Sequence, residues 1–106
     1  MKPLKFVGRS REDLQRFPRD VRRAMGLELL RVQSGDAPID IKPMSSVGKG
    51  VYEIRVRLEG AWRLIYVAKF SDAVWVLHVF QKKTQQTSMA DIELAKQRLK
   101  EIGGQR

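Results

Sequence analysis

The sequence predicts a single α+β domain with an antiparallel β-sheet meander, an N-terminal helical hairpin and a C-terminal helix. Two patterns support this fold class: apolar residues recur at helical spacing near both ends, and they alternate with polar residues between positions 51 and 69. A length of 106 residues suits one domain, and a hydrophobic fraction of 42% allows a core to form. The predicted order over residues 1–106 is β-α-α-β-β-β-α.

The first third of the chain predicts a short strand followed by the helical hairpin. Lys5–Val7 is a brief apolar run, and Ser10, three residues before Asp13, is typical of a residue that caps the start of a helix. Pro18 favours the start of a second helix, because proline is well tolerated at the first helical position. Three- and four-residue spacing then predicts the buried face of that helix, which comprises Val21, Met25, Leu29 and Val32.

Residues 35–50 are predicted to form a loop. Glycines and prolines interrupt any regular pattern there, at Gly35, Pro38, Pro43, Gly48 and Gly50. A loop this long is unusual in so small a domain, and such loops are often functional. Lys42 and Lys49 lie in this segment and are therefore candidates for contact with an anionic partner.

Three strands joined by short turns are predicted next. Val51–Leu58 alternates strictly, which places Arg55 and Arg57 on one face. Ala61–Lys69 is the second strand, and the nearly continuous apolar run Ala73–Gln81 is typical of a central strand covered on both faces. The short connections predict an antiparallel meander.

A closing helix is predicted after the last strand. Ser88 and Asp91 resemble a capping box in which Asp replaces Glu. One apolar face follows at helical spacing, formed by Ile92, Ala95, Leu99 and Ile102. Gly103 and Gly104 are predicted to end the helix.

The charge balance predicts an anionic partner. The chain has 21 Lys and Arg residues against 12 Asp and Glu, a formal charge of +9, and the predicted hairpin carries an arginine coat that includes Arg22 and Arg23. It has no cysteine, which excludes disulfides and thiolate metal sites, and a lone histidine does not favour a metal site. No apolar stretch approaches the ~20 residues of a spanning helix, so we expect a cytoplasmic protein without membrane contact, metal or cofactor.

The most informative charges lie on the predicted sheet. Arg55 and Arg57 are ~7 Å apart along one strand, beside Arg63 on the next. Two interpretations fit this alternation: a solvated face in which Glu53 pairs with an arginine, and a phosphate site, for which the guanidinium group is well suited. Lys82-Lys83 at the end of the last predicted strand favours the phosphate site, because such a concentration of cations is unfavourable without an anion.

Other candidate residues leave alternatives open. His78, inside an apolar run, is interpreted either as a hydrogen-bonded core residue or as a general acid or base. Tyr66 and Phe80 are candidates for stacking on a nucleic-acid base. The sequence has no P-loop, G-x-G-x-x-G, G-x-S-x-G or helix-turn-helix signature, so it does not support a nucleotide hydrolase, dehydrogenase or esterase.

Three segments resemble the RelE/ParE superfamily of toxins, and in particular its HigB-like, phage-derived branch. They are Tyr52–Arg55 (YEIR), Trp62–Tyr66 (WRLIY) and Val76–Gln85 (VLHVFQKKTQ), and the resemblance spans nearly the whole chain. It implies a ribosome-dependent mRNA endonuclease of a type II toxin–antitoxin system, acting without metal through attack of the RNA 2′-OH. It also implies three partners: mRNA, the ribosome and a cognate antitoxin, commonly a helix-turn-helix protein.

Carried residue by residue, the resemblance implies a catalytic set of five residues: Arg55, Arg63, Lys82, Lys83 and Tyr66. The remaining candidates for RNA binding are Lys42, Lys49, Arg57, Arg22 and Arg23. The sequence departs from the family pattern at Ser88, where proline is common, and at Gln86, which replaces a lysine. Toxins of this fold differ in their catalytic residues, so the resemblance does not identify the general base. A ParE-like inhibitor of DNA gyrase and a non-catalytic RNA-binding module are alternative functions.

Overall fold

The computed structural model describes residues 1–105 and contains three helices and five strands in that range. The α+β fold class is therefore confirmed. In chain order the elements are β1 (Leu4–Phe6), α1 (Ser10–Gln15), α2 (Arg19–Gln33), β2 (Ile41–Pro43), β3 (Val51–Arg57), β4 (Ala61–Val67), β5 (Val74–Lys82) and α3 (Met89–Gln105).

The strands form one sheet in the order β1-β5-β4-β3-β2. The predicted meander is present, since β3 pairs with β4 and β4 with β5 in antiparallel fashion. The opening strand β1 instead pairs in parallel with β5, with Leu4 opposite Val74. The tight turn between β3 and β4 uses positive φ angles at Glu59 (50°) and Gly60 (140°), which glycine adopts easily.

Helix α2 covers one face of the sheet. Its buried apolar residues are the four predicted from their spacing, Val21, Met25, Leu29 and Val32. They pack with side chains from β3 and β4, namely Ile54, Val56, Trp62, Leu64 and Tyr66. The alternation along the strands and the spacing along the helix therefore correctly predict which residues are buried on this face of the sheet.

Helix α3 covers only part of the opposite face. Ala95 and Ile102 are buried there, and their cluster includes Ile65 and Leu77 from the sheet. The same face continues along β3, β4 and β5 toward Arg57, Ala61 and Lys82, where charged residues replace apolar ones. The uncovered end of this face holds the candidate site described below.

Three local predictions need correction. Residues 35–50 are not a loop throughout, because Ile41–Pro43 forms the edge strand β2. Three residues are too few to produce an alternating pattern, and Pro43 is tolerated because it lies on an edge. Helix α3 continues through Gly103 and Gly104, since glycine weakens a helix by only about 1 kcal/mol and keeps its N–H. The Ser10 hydroxyl does not cap α1 but donates to the Val76 carbonyl, 3.2 Å away.

None of the described helices is long and apolar enough to cross a membrane.

Candidate active site

Five basic residues share the uncovered end of the sheet face that α3 partly covers. The register places Arg55 opposite Arg63 and Arg63 opposite Phe80, so three strands contribute neighbouring side chains. Lys82 lies opposite Ala61, which in turn faces Arg57, and Lys42 on β2 lies opposite Glu53. We refer to these five residues, Lys42, Arg55, Arg57, Arg63 and Lys82, as the cationic face.

A buried ion pair lies within the cationic face. Arg63 and Glu53 are 2% and 1% exposed, and Arg63 Nε is 3.4 Å from Glu53 Oε1. Arg63 Nη1 donates to the Trp62 carbonyl at 3.1 Å, and the Thr87 hydroxyl donates to Glu53 Oε2 at 3.0 Å. Burial lowers the pKa of Arg63, Glu53 opposes this effect, and Arg55 and Arg57 add to it. The ion pair with Glu53 therefore holds the Arg63 guanidinium group in one position among the other basic residues of the cationic face.

Arg55 has a weaker ion-pair partner than Arg63 does. Its Nε lies 4.0 Å from Asp40 Oδ1, at the limit of an ion pair, and the Asp40 side chain is about half exposed. Among residues 1–105, the buried Nε atoms of both Arg55 and Arg63 lack a hydrogen-bond acceptor. Each buried Nε is thus within ion-pair distance of a carboxylate without forming a hydrogen bond, and the Arg55 side chain remains 28% exposed to an incoming anion.

Lys82 lies in an environment that lowers its pKa. Burial lowers its pKa, and the neighbouring cations Arg63, Lys42 and Arg55 lower it further, while Glu53 opposes the shift. A lysine in this situation gives up its proton more easily than a free one and is suited to accept a proton during catalysis. Lys82 and Lys83 both line a cavity of about 210 Å³, together with Phe80.

His78 and Asp91 fasten the start of α3 to the sheet behind this cavity. His78 Nε2 lies 2.7 Å from Asp91 Oδ1, while Asp91 Oδ2 accepts a 2.7 Å hydrogen bond from the Ser88 hydroxyl. The Asp91 N–H donates to the Ser88 hydroxyl in return, which gives the cap predicted from the sequence. His78 is buried and also stacks on Phe80, with ring centroids 5.0 Å apart. It therefore supports the half-buried Phe80 ring at the edge of the cavity.

Other candidate residues from the sequence lie apart from the cationic face. Tyr66 is on the α2 side of the sheet, where it is 4% exposed and stacks on Tyr52. Burial there raises its pKa to about 12. Lys49 precedes β3, at the end of that strand far from Arg57. The remaining two, Arg22 and Arg23, are exposed on α2.

Two residues of the site carried no recognisable signal in the sequence. Asp40 and Thr87 lie in irregular segments, and they reach Arg55 and Glu53 only because the chain folds back over the sheet. Within residues 1–105 there is no group of three or more His, Cys, Asp or Glu side chains placed to hold a metal ion. The arrangement offers cations, an aromatic ring and a lysine with a lowered pKa, which together suit a phosphodiester substrate.

The fold is that of the RelE toxins. Among solved structures, the chain is similar to a mutant of the E. coli toxin RelE in its free state, with a TM-score of 0.65 and 20% sequence identity. This similarity covers 95% of the present chain and 97% of the other. The model of the family described as "Phage derived protein Gp49-like (DUF891)" matches residues 12–100. The chain therefore belongs to this family, which is of the RelE/HigB toxin type. No match was found among curated protein sequences.

Proposed function

We propose that this RelE-type toxin is the ribosome-dependent mRNA endonuclease of a type II toxin–antitoxin system. The observation that carries the proposal is the cationic face, in which five basic side chains from four neighbouring strands lie together and can donate to an anion with several oxygen acceptors. A phosphate group in the RNA backbone supplies such acceptors, and it matches the guanidinium geometry.

The proposed chemistry needs no metal. The 2′-OH of one nucleotide loses its proton to neutral Lys82, and its oxygen attacks the adjacent phosphorus. The bond from phosphorus to the 5′-oxygen of the next nucleotide breaks, which leaves a 2′,3′-cyclic phosphate. The departing 5′-oxygen takes a proton from solvent or from the Lys83 ammonium. Arg55 and Arg63 stabilise the negative charge that develops on the phosphate oxygens.

Partners of this activity follow from the charge and openness of the site. A chain with a formal charge of +9 is attracted to ribosomal RNA and mRNA, and the coat that includes Arg22 and Arg23 adds to that attraction. A site with so few reacting groups gains most from a substrate positioned by the ribosome, because positioning alone supplies a large part of a rate enhancement. The proposed regulator is a cognate antitoxin, of the helix-turn-helix type in this branch.

Transcript mapping after induction tests the proposal. Wild-type protein is expected to produce new 5′ ends inside translated codons, and Arg55→Gln is expected to reduce cleavage by about a hundredfold or more. Arg11→Gln, which removes an exposed arginine on α1, is the matched control and should cleave normally. Intact mRNA together with a DNA-damage response would instead indicate gyrase inhibition, and harmless induction would indicate a plain RNA-binding module.

A further inference from the structure

A cavity separate from the candidate active site lies on the α2 side of the sheet. Its volume is about 840 Å³, which is within the range of sites that bind small molecules. We refer to it as the tyrosine cavity, because Tyr52 and Tyr66 both line it. The proposed cleavage of RNA uses none of the residues that line the tyrosine cavity, so this cavity has no part in that reaction.

The wall of the tyrosine cavity contains a hydroxyl group without a hydrogen-bond partner. Tyr66 is only 4% exposed, and its hydroxyl forms no hydrogen bond within residues 1–103 although it is not sealed from solvent. Burial raises the pKa of Tyr66 to about 12, so the hydroxyl keeps its proton at neutral pH and can donate. The Tyr66 ring stacks on Tyr52, which is 36% exposed, so part of the Tyr52 ring remains open to a ligand.

Two ammonium groups that line the tyrosine cavity are held in place by backbone carbonyls. Lys2 Nζ donates to the Ala68 carbonyl, and Lys69 Nζ donates to the Lys49 carbonyl at 2.9 Å. An ammonium group has three donors, so each lysine keeps two for a ligand. Neither lysine forms an ion pair within residues 1–103. Because both side chains are already anchored, they lose little conformational entropy when they bind an anion.

Three features of the tyrosine cavity indicate the chemistry of its ligand. The two ammonium groups favour a phosphate, and the tyrosine rings favour a planar aromatic group. Asp36 is the one acidic residue that lines the cavity within residues 1–103, and its carboxylate has no partner there, so it can accept from N–H donors. A purine nucleotide with an exocyclic amino group carries all three complementary groups, whereas an inorganic anion carries only one.

We propose that the tyrosine cavity binds a purine mononucleotide, whose phosphate contacts Lys2 and Lys69 and whose base packs against Tyr52. The Tyr66 hydroxyl donates to the ligand, and Asp36 accepts from the amino group of the base. Tyr66 and the arginines of the cationic face lie on opposite sides of the sheet. The nucleotide therefore binds whether or not RNA occupies the candidate active site.

Calorimetry with the whole chain and three related probes tests this inference. Adenosine 5′-monophosphate (AMP) should bind with a Kd below about 1 mM. Ribose 5-phosphate lacks the base and adenosine lacks the phosphate, so each should bind about tenfold or more weakly than AMP. Lys2→Gln/Lys69→Gln should also weaken AMP binding about tenfold or more. Arg11→Gln/Lys100→Gln is the matched control, because it removes two positive charges from exposed positions on α1 and α3 and should bind AMP as wild type does.

A conservative variant tests the hydroxyl group. Tyr66→Phe keeps the ring, so the fold is expected to persist while AMP affinity falls about threefold or more. The inference is overturned if wild type does not bind AMP, or if Lys2→Gln/Lys69→Gln binds AMP within twofold of its control. It is also overturned if ribose 5-phosphate binds as tightly as AMP, which would indicate an adventitious anion site only.

Nuclear magnetic resonance locates the bound probe. AMP should shift the backbone amide signals of Gly50 and Tyr52, which belong to the tyrosine cavity. Shifts confined to Arg55 and Lys82 would assign AMP to the cationic face and overturn the inference. None of these measurements depends on RNA cleavage, so failure of the nucleotide site and failure of the proposed function are distinguishable.

Discussion

Replacing Arg63 with methionine is expected to destabilise the fold by about 3 to 5 kcal/mol. Arg63 and Glu53 are almost fully buried, with Nε and Oε1 3.4 Å apart, so water cannot replace a lost partner. Without the guanidinium group, the Glu53 carboxylate keeps the hydrogen bond from the Thr87 hydroxyl as its one side-chain hydrogen bond within residues 1–103. The loss is large beside the roughly 5 to 15 kcal/mol that stabilises a whole domain of this size.

Urea denaturation followed by circular dichroism measures this effect. With a slope of about 1.5 kcal/mol per molar urea, the midpoint of Arg63→Met should fall by about 2 to 3 M. Arg57→Met is the matched control, because it removes an exposed arginine from the same face and should change stability by about 0.5 kcal/mol or less.

The double variant Glu53→Gln/Arg63→Met tests the cause of the destabilisation. It leaves no unpaired charge in the interior, so it should recover at least half of the stability that Arg63→Met loses. The reasoning is refuted if Arg63→Met behaves like the Arg57→Met control, or if the double variant is as unstable as the sum of its parts. For the same reason, a loss of toxicity in an Arg63 variant is informative only when its folding has been checked.

Three further predictions concern Lys82, Tyr66 and Thr87. Because the pKa of Lys82 lies below its usual 10.5, mRNA cleavage should increase with pH up to an inflection below that value. Removing a cation by Lys42→Ala should move the inflection to higher pH, and an unmoved inflection would argue against Lys82 as the proton acceptor. Tyr66→Phe should cleave within about twofold of wild type by primer extension, since Tyr66 lies on the other face of the sheet. A folded Tyr66→Phe protein without activity would contradict that placement. Thr87→Val should lower the free energy of unfolding by about 1 to 2 kcal/mol in urea titrations. Thr87→Ser keeps the hydroxyl and should not, so equal losses would exclude the hydrogen bond as the cause.

The sequence predicted the fold wherever the determinants are local. Alternation within β3 and β4 and the short turn between them bring Arg55 and Arg63 together, because a tight hairpin determines its own register. The same alternation separates Arg63 from Tyr66, three positions later on the same strand, and the structure confirms that they face opposite sides. The grouping of Tyr66 with Arg55 and Arg63 in one predicted catalytic set came from the resemblance rather than from the strand pattern.

The parts of the site that sequence reasoning missed depend on contacts between distant segments. Thr87 reaches Glu53 across 34 positions, and no periodicity marks such a pair. The edge strand Ile41–Pro43 is too short for a pattern, and it exists because β3 offers it a partner. Alternation could likewise not decide whether Glu53 forms a buried ion pair with an arginine or lies on a solvated face. Burial of that face depends on the path of the chain after β5.

The parallel pairing of β1 with β5 determines when the sheet can be completed during translation. Leu4 is synthesised 70 positions before its partner Val74, so the sheet stays incomplete until β5 has been made. Lys82 and the hydroxyl that secures Glu53 are synthesised later still. A nascent chain that stalls or is degraded before β5 therefore lacks the assembled cationic face, because β5 both completes the sheet and supplies Lys82.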